Sequence, residues 1–364
     1  MEPLPGDVVL AATAPITTDA LVIGAGPVGL FQVFELGLLD IRSHVIDALP
    51  LVGGQPVELY PDKPIYDVPG LPVCSGRGLA EALMRQAAPF APRFHLGQTV
   101  QSLQPEPDGR WRVGTSAGTE FISKTVFIAA GVGAFEPRRL KLKGLDPFEG
   151  SQLRHHHTPG ENFSGQNVVI VGDTDSAIEA ALALSAAGPN RAKSVTLVHR
   201  RDSFKAEPDR VNLMKERCAE GSMRFIAGQI TGHQAQGKRL DQLIIALPEG
   251  SEQALPVDTL FVLQGLSPQL GPVTHWGLAM ERKQLVVNTE NFATSSPGIF
   301  AVGDINTYPG KRKLLVCGFH ECTLAAYGAA PIVYPDRPVL LQYTTTSTHL
   351  HKVLGVGNTL QDPS

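Results

Sequence analysis

Three glycines, Gly24, Gly26 and Gly29, stand in the spacing Gly-x-Gly-x-x-Gly, and an acid, Asp47, follows 23 residues after the first. That pattern suits a pyrophosphate. Gly24 allows a tight turn, Gly26 lets phosphate approach the backbone, and Gly29 lets a helix pack on the preceding strand. A carboxylate at the position of Asp47 accepts from ribose hydroxyls, which favours a nucleotide without a 2′-phosphate. A second turn reads Gly172-Asp173-Thr174-Asp175-Ser176-Ala177 and leads to His199-Arg200-Arg201. Two arginines where the first unit has its acid invert the preference toward a ribose 2′-phosphate, and Lys205 offers a third positive charge. Thr174 occupies the close-approach position where glycine is expected, and Asp173 adds an anion beside the phosphates. Those two residues predict a weakened second site.

The elements that must hold these turns follow from the apolar pattern. Residues 20–23 are a β-rich run ending at Gly24. A helix is predicted over 27–38, with Pro27 in its first turn, where a missing N–H costs nothing. A second strand over 44–46 ends at Asp47. The helix N-terminus offers free N–H groups and positive dipole to phosphates. The later unit repeats the order, with strand 167–171, helix 176–187 stopped by Gly188-Pro189, and strand 194–198 ending at the arginines.

The chain's 364 residues are enough for two domains. Thirty-one basic against 35 acidic residues leave a formal charge of −4, so no basic excess suits nucleic acid. Four scattered cysteines, Cys74, Cys218, Cys317 and Cys322, match neither a disulfide scaffold nor the spacing of a zinc or iron–sulfur site. Three adjacent histidines, His155-His156-His157, cannot all face one ion on an ordered strand or helix, so they read as a loop and no metal is expected. The first basic residue is Arg42 and no apolar run reaches bilayer length, which points to a cytoplasmic protein without signal peptide or membrane span. Residues 1–18 read as a leader draped on the surface.

An FAD-type fingerprint followed about 150 residues later by an NADP-type one is the plan of a flavoprotein that binds two dinucleotides. Thr125-Val126-Phe127-Ile128-Ala129-Ala130-Gly131 resembles the segment closing the first half of such a flavin domain. Ser295-Ser296-Pro297-Gly298-Ile299-Phe300-Ala301-Val302-Gly303-Asp304 resembles its second flavin motif, in which the aspartate bonds the ribityl chain. More specific are Gly53-Gly54-Gln55, the loop Leu59-Tyr60-Pro61-Asp62-Lys63-Pro64-Ile65-Tyr66-Asp67-Val68-Pro69-Gly70, and the tail Tyr343-Thr344-Thr345-Thr346-Ser347-Thr348-His349-Leu350-His351. With His199-Arg200-Arg201-Asp202-Ser203-Phe204-Lys205-Ala206 and the stretch from Gly303-Asp304 to Gly318-Phe319, the chain resembles the thioredoxin-reductase-like ferredoxin–NADP reductases of bacteria. Departures are Asp173 and Thr174, Lys205 for the family's usual arginine, and Cys317 with His320-Glu321-Cys322.

The resemblance implies an α/β fold of two Rossmann-like three-layer domains, with the NADP domain inserted in a discontinuous FAD domain. The expected divisions are a leader over 1–18, FAD domain over 19–134, NADP domain over 135–285, FAD domain again over 286–340 and a C-terminal extension over 341–364. It implies one tyrosine on each flavin face, Tyr60 and Tyr343, with Thr345 or Thr346 near flavin N5. It further implies flavin contacts at Gln55, Val100, Phe135 and Asp304, and NADP contacts at Gly172, Thr174, Asp175, Ser176, His199, Arg200, Arg201 and Lys205. Thioredoxin reductases carry a Cys-x-x-Cys dithiol before the second nucleotide strand, where this chain reads Leu153-Arg154-His155-His156-His157-Thr158-Pro159-Gly160. Disulfide reduction is therefore disfavoured. The implied activity is an FAD-dependent ferredoxin or flavodoxin–NADP reductase, a homodimer whose extension reaches the other subunit's flavin. An acidic carrier would dock on Lys311-Arg312-Lys313 or on Arg138-Arg139-Leu140-Lys141-Leu142-Lys143. The competing readings are a flavin-binding redox sensor with a weakened NADP site and another NADPH-dependent flavoprotein without a dithiol.

Overall fold

The computed structural model describes residues 14–356. The chain divides into two compact units: residues up to Ala134 join those from Gln269 onward, and Phe135–Pro268 form the other. The first unit is discontinuous in sequence, with the second inserted into it.

In the first unit the strand Ile16–Ile23 lies at the centre of a seven-stranded sheet. On one side it pairs in parallel with Ser43–Ile46, which pairs in turn with Arg93–His95. On the other it pairs in parallel with Glu120–Ile128. The end of that strand takes Ile299–Ala301 as a further parallel neighbour, and its start runs back through the antiparallel strands Trp111–Thr115 and Val100–Pro105. Ala20, Leu21 and Val22 are all fully buried. Both faces of the sheet are covered, so this strand reads as a continuous apolar run rather than an alternating one. The helices Pro27–Leu38, Gly76–Ala87 and Leu315–Val333 form the helical layer, with the first packed on the other two. Ala325, Ala326, Ala329 and Ala330 give the long helix a buried small-residue face. Beside it the Cys322 thiol reaches Val28 O at 3.3 Å, and Gln32 Nε2 donates to Cys322 O at 3.2 Å.

The inserted unit holds a five-stranded parallel sheet in the order Leu153–Arg154, Thr259–Val262, Asn167–Val171, Ser194–His199, Arg224–Ala227. Val168 and Ile170 face the helices Asp175–Ser185 and Pro208–Ala219, where Ile178, Ala181 and Met214 fill the core. Val169 and Val171 face the other way, against Ile230, Leu243, Ile245 and Leu255 of a three-stranded antiparallel sheet. The unit therefore has three layers around one parallel sheet.

Two expected divisions move. The first strand begins at Ile16, not after residue 18, because Ile16, Thr17 and Thr18 continue its pairing with Phe121, Ile122 and Ser123. The return to the first unit comes at Gln269 rather than at 286, since Val273, Leu278 and Leu285 are buried in the first unit's core. Residues 1–13 of the expected leader and 357–364 of the extension lie outside the described residues. Of the extension, the helix Thr348–Val353 buries Leu350 and places His349 Nε2 at 2.9 Å from Asp40 Oδ1, at the far end of the first helix. Among the described residues no helix is long and apolar enough to cross a membrane.

Glu35 lies between the first and long helices, bonded to Thr323, and burial pushes its carboxyl up to about 7. The fold prefers the neutral form, so this group's contribution to stability is complete below its ordinary value of 4.5 and is lost as pH rises through 7. The loss amounts to at most about 3 kcal/mol. Glu35→Gln is expected to flatten the fall in unfolding free energy between about pH 5 and pH 7, read by chemical denaturation across that range.

Candidate functional site

Parallel strands bring their C-terminal ends to one edge of a sheet, and the glycine turns of both units stand there. In the first unit, Gly24 adopts φ +113°, and a Cβ on it would lie 2.4 Å from Ala129 O. A Cβ on Gly29 would lie 1.8 Å from Gly24 O. The fold itself demands both glycines. Gly26 differs, because a Cβ there meets nothing closer than Gly54 Cα at 3.8 Å. Nothing in the chain requires glycine at 26; the open space suits a group from outside it. Gly26 caps the helix Pro27–Leu38 with no side-chain hydrogen bond, and Pro27 opens that helix. Its first N–H groups are thus left for a ligand.

Asp47 ends the neighbouring strand and ties this turn down. Its Oδ2 accepts from Ala25 N–H at 2.6 Å and its Oδ1 from Leu49 N–H at 2.8 Å. Burial pushes the carboxyl up and the two N–H donors pull it down, with burial the larger. Each oxygen keeps a lone pair for a ribose hydroxyl. The Gly53-Gly54-Gln55 turn closes on the same place: Gly53 N–H donates to Ala25 O at 2.9 Å. Gln55 lies half-buried in the short helix Gly54–Leu59.

Asp304 occupies the turn Gly303–Ile305, directly after Ile299–Ala301. Among the described residues no hydrogen bond reaches its carboxylate. Burial pushes its pKa up, opposed by the charges of Lys311 and Lys313 and assisted by that of Glu321. A desolvated acceptor without a protein donor fits a hydroxylated ligand chain. Tyr60 stands in its field, for burial and then the charges of Asp304 and Asp67 push the phenol up. Val100 is buried in the core at the start of the strand Val100–Pro105. Phe135 belongs to the strand Ala134–Pro137, with its side chain outside the described residues.

In the inserted unit, Gly172 is required because a Cβ would lie 2.3 Å from Leu263 O. Thr174 fits its position by turning its hydroxyl to Leu263 O and Ser176 Oγ, each at 3.0 Å. Asp173 is buried and paired with Lys205 at 2.9 Å, with His199 Nε2 at 3.8 Å. Lys205 therefore answers Asp173 instead of offering a free third charge. Asp175 is bound to Arg210 and to Glu207 N–H, both at 2.9 Å, which takes up much of the carboxylate expected to meet cofactor. Arg200 and Arg201 are exposed at the strand end, and neither guanidinium has a partner among the described residues. A cleft of about 540 Å3 runs along Asp175–Ser185, walled in part by His155, His156, His157, Ser176 and Arg191. His155 meets Glu149 Oε1 and Val262 O, while His157 packs on Phe163 and Phe261.

A family model described as pyridine nucleotide-disulphide oxidoreductase matches residues 18–321. The chain belongs to this family. Among similar proteins, the ferredoxin–NADP reductase of Polaromonas naphthalenivorans (strain CJ2) is 57% identical, over 96% of this chain and 95% of its own. The ferredoxin–NADP reductase of Albidiferax ferrireducens is also 57% identical, over 96% of this chain and 98% of its own. Among solved structures, thioredoxin reductase from T. acidophilum matches with a TM-score of 0.57 and 23% identity, over 86% of this chain and 98% of that one, and so shares the fold.

As a member of the pyridine nucleotide-disulphide oxidoreductase family the chain is notable for its thiols. All four cysteines are free, Cys322 is buried inside the helix seam, and burial pushes its thiol well up. One expectation about charge changes with the structure. Lys311, expected on a docking surface, has a side chain only 7% exposed and is paired with Glu321. Tyr343 and Thr345 of the extension are exposed, and Tyr343 stands beside Tyr327 of the long helix. Glu321 itself was not among the expected site residues, although one acid in the apolar run of the helix Leu315–Val333 was a signal for a buried, partnered charge.

Two glycine substitutions separate fold from ligand. Gly29→Ala is expected to destabilise the ligand-free protein by about 1–3 kcal/mol or more through its backbone clash. Gly26→Ala meets only ordinary contact and stays within about 1 kcal/mol. Thermal or chemical denaturation without ligand checks both.

Proposed function

We propose that this chain is an FAD-dependent ferredoxin–NADP reductase, with flavodoxin as the alternative carrier, working as a cytoplasmic homodimer. The observation that carries the reading is the opposite charge of the two ribose-reading strand ends. Asp47 ends one, while the unpartnered Arg200 and Arg201 end the other. The name borne by relatives 57% identical over 96% of the chain supports the carrier protein as the second substrate.

Bound FAD supplies the conversion between single electrons, taken one at a time from the protein carrier, and a hydride passed to NADP. The residues present fit both dinucleotides. The uncapped N–H groups beside Gly26 would hold the flavin nucleotide's pyrophosphate, Asp47 its adenosine ribose and Asp304 its ribityl hydroxyls. Tyr60 would stack on one face of the ring. In the inserted domain, Gly172 and Ser176 would flank the NADP pyrophosphate, with His199, Arg200 and Arg201 at the 2′-phosphate. The pairing of Asp173 with Lys205 removes the uncompensated anion that argued for a decayed NADP site.

No thiol stands in residues 153–160, and of Cys317 and Cys322 the second is buried with its thiol pushed well up, so a dithiol relay is disfavoured. The extension exposes Leu340, Leu341 and Tyr343, with Tyr343 65% exposed, which is the surface expected of a segment that covers the flavin of a second copy. Since Lys311 is consumed internally, an acidic carrier would meet Arg312 and Lys313, or Lys141 and Lys143, all exposed.

Purified protein should be yellow, bleach anaerobically with NADPH, and then reduce cytochrome only when ferredoxin is present. Absence of bleaching at millimolar NADPH would overturn the reading. Replacing Arg200 and Arg201 with alanine should lower the preference for NADPH over NADH by about tenfold or more, because each charge-assisted contact is worth about 1.5–3 kcal/mol. Stopped-flow reduction with each nucleotide reads that ratio.

A further inference from the structure

The turn that carries Asp304 is built around one buried acid. Glu321 is fully buried on the long helix, and four donors converge on its carboxylate. Oε2 accepts from Gly303 N–H at 2.6 Å and from Asn306 Nδ2 at 2.8 Å. Oε1 accepts from Tyr308 OH at 3.0 Å and from Lys311 Nζ. Lys311 Nζ also donates to Gly303 O at 2.8 Å. Both polar groups of the Gly303 backbone are therefore held by the same ion pair, one residue before Asp304. Asn306 Nδ2 ties the turn back to Ala301 O at 2.8 Å. Gly303 has φ +79° and a Cβ would come within 3.2 Å of Val28, so the turn has little freedom to take another shape.

A charge buried this completely costs several kcal/mol in desolvation, and a hydrophobic pair of the same volume would serve stability as well. Four donors gathered on one turn point to a different use. We propose that Glu321 and Lys311 are positioning residues that hold the Gly303–Ile305 turn so that Asp304 meets the ribityl chain of FAD, and that their opposite charges set the flavin's affinity and potential. The inference rests on the FAD reading above. The two charges already act on Asp304 with opposite signs, Lys311 lowering its pKa and Glu321 raising it.

The opposite signs give a test that loss of structure alone would not mimic. Lys311→Met, Glu321→Gln, the double variant and Tyr308→Phe would be purified and reconstituted with FAD. Each would be measured for FAD dissociation by released-flavin fluorescence and for flavin midpoint potential by reductive titration, with melting of the apoprotein alongside. Each charge variant is expected to raise the FAD dissociation constant at least tenfold. Lys311→Met should shift the potential negative, because the cation acting at Asp304 is gone, and Glu321→Gln should shift it positive. The double variant should return the potential toward wild type, because the two charges cancel, while its FAD affinity stays low, because the Gly303 turn has lost both of its holders. Tyr308→Phe, which leaves the ion pair in place, should weaken FAD severalfold, and it carries the test if the single charge variants do not fold. Unchanged FAD affinity in Tyr308→Phe and the double variant, or shifts of the same sign in both single variants, would overturn the proposal. Lower apoprotein melting without a change in potential would overturn it too. A wild-type protein that takes up no FAD overturns the flavin reading, and this proposal with it.

Discussion

The first unit depends on one close approach: the backbone of Gly24 lies against Ala129 O while Gly29 lies against Gly24 O. The loop after the central strand can turn into the first helix only because neither residue has a Cβ. Parallel pairing does the rest. With Ser43–Ile46 and Glu120–Ile128 on either side and Ile299–Ala301 beyond, the strand ends share one edge. Asp47 and Asp304, far apart in sequence, therefore flank the same turn system without any contact between their own strands.

Charge distribution around these edges separates scaffolding from recognition. Buried acids are answered from within, Glu321 by Lys311 and Asp173 by Lys205, and the half-buried Asp175 is answered by Arg210. The desolvation cost of a buried carboxylate makes this pairing almost obligatory. Groups left unanswered are then the informative ones. Asp304 has burial but no hydrogen bond among the described residues, and Arg200 with Arg201 have charge but no counter-ion. An exposed guanidinium costs little to keep free, whereas a desolvated carboxylate without a donor is a standing penalty that a ligand hydroxyl would relieve.

Much of this was legible in the sequence, and the exceptions have a common physical cause. Strand–turn–helix order, the helix over 27–38 and the glycine roles follow from local periodicity and backbone sterics, so Gly24 and Gly29 could be assigned from spacing alone. The return to the first unit at Gln269 could not, because Val273, Leu278 and Leu285 are allotted to a core by packing that no local pattern encodes. Charge pairing failed to show for the same reason. Lys311 stands in a basic triplet that reads as solvated surface, and only the fold brings Glu321, ten residues on and across a turn, against it. Lys205 and Asp173 lie 32 residues apart and meet at the strand edge.

One property of the two ribose-reading ends bears on how a single chain keeps two dinucleotides apart. If the proposed function holds, FAD and NADP share an adenosine and a pyrophosphate, and differ there only by the 2′-phosphate. Attraction alone would discriminate weakly between them. In that reading an acid at Asp47 would repel the extra phosphate, and two guanidinium groups at Arg200 and Arg201 would be left unsatisfied by a nucleotide that lacks it. Each site would thus reject the other's ligand by a penalty as well as preferring its own. The rejection needs no difference in fold between the units, which is why both can keep the same parallel-sheet edge and the same glycine turn.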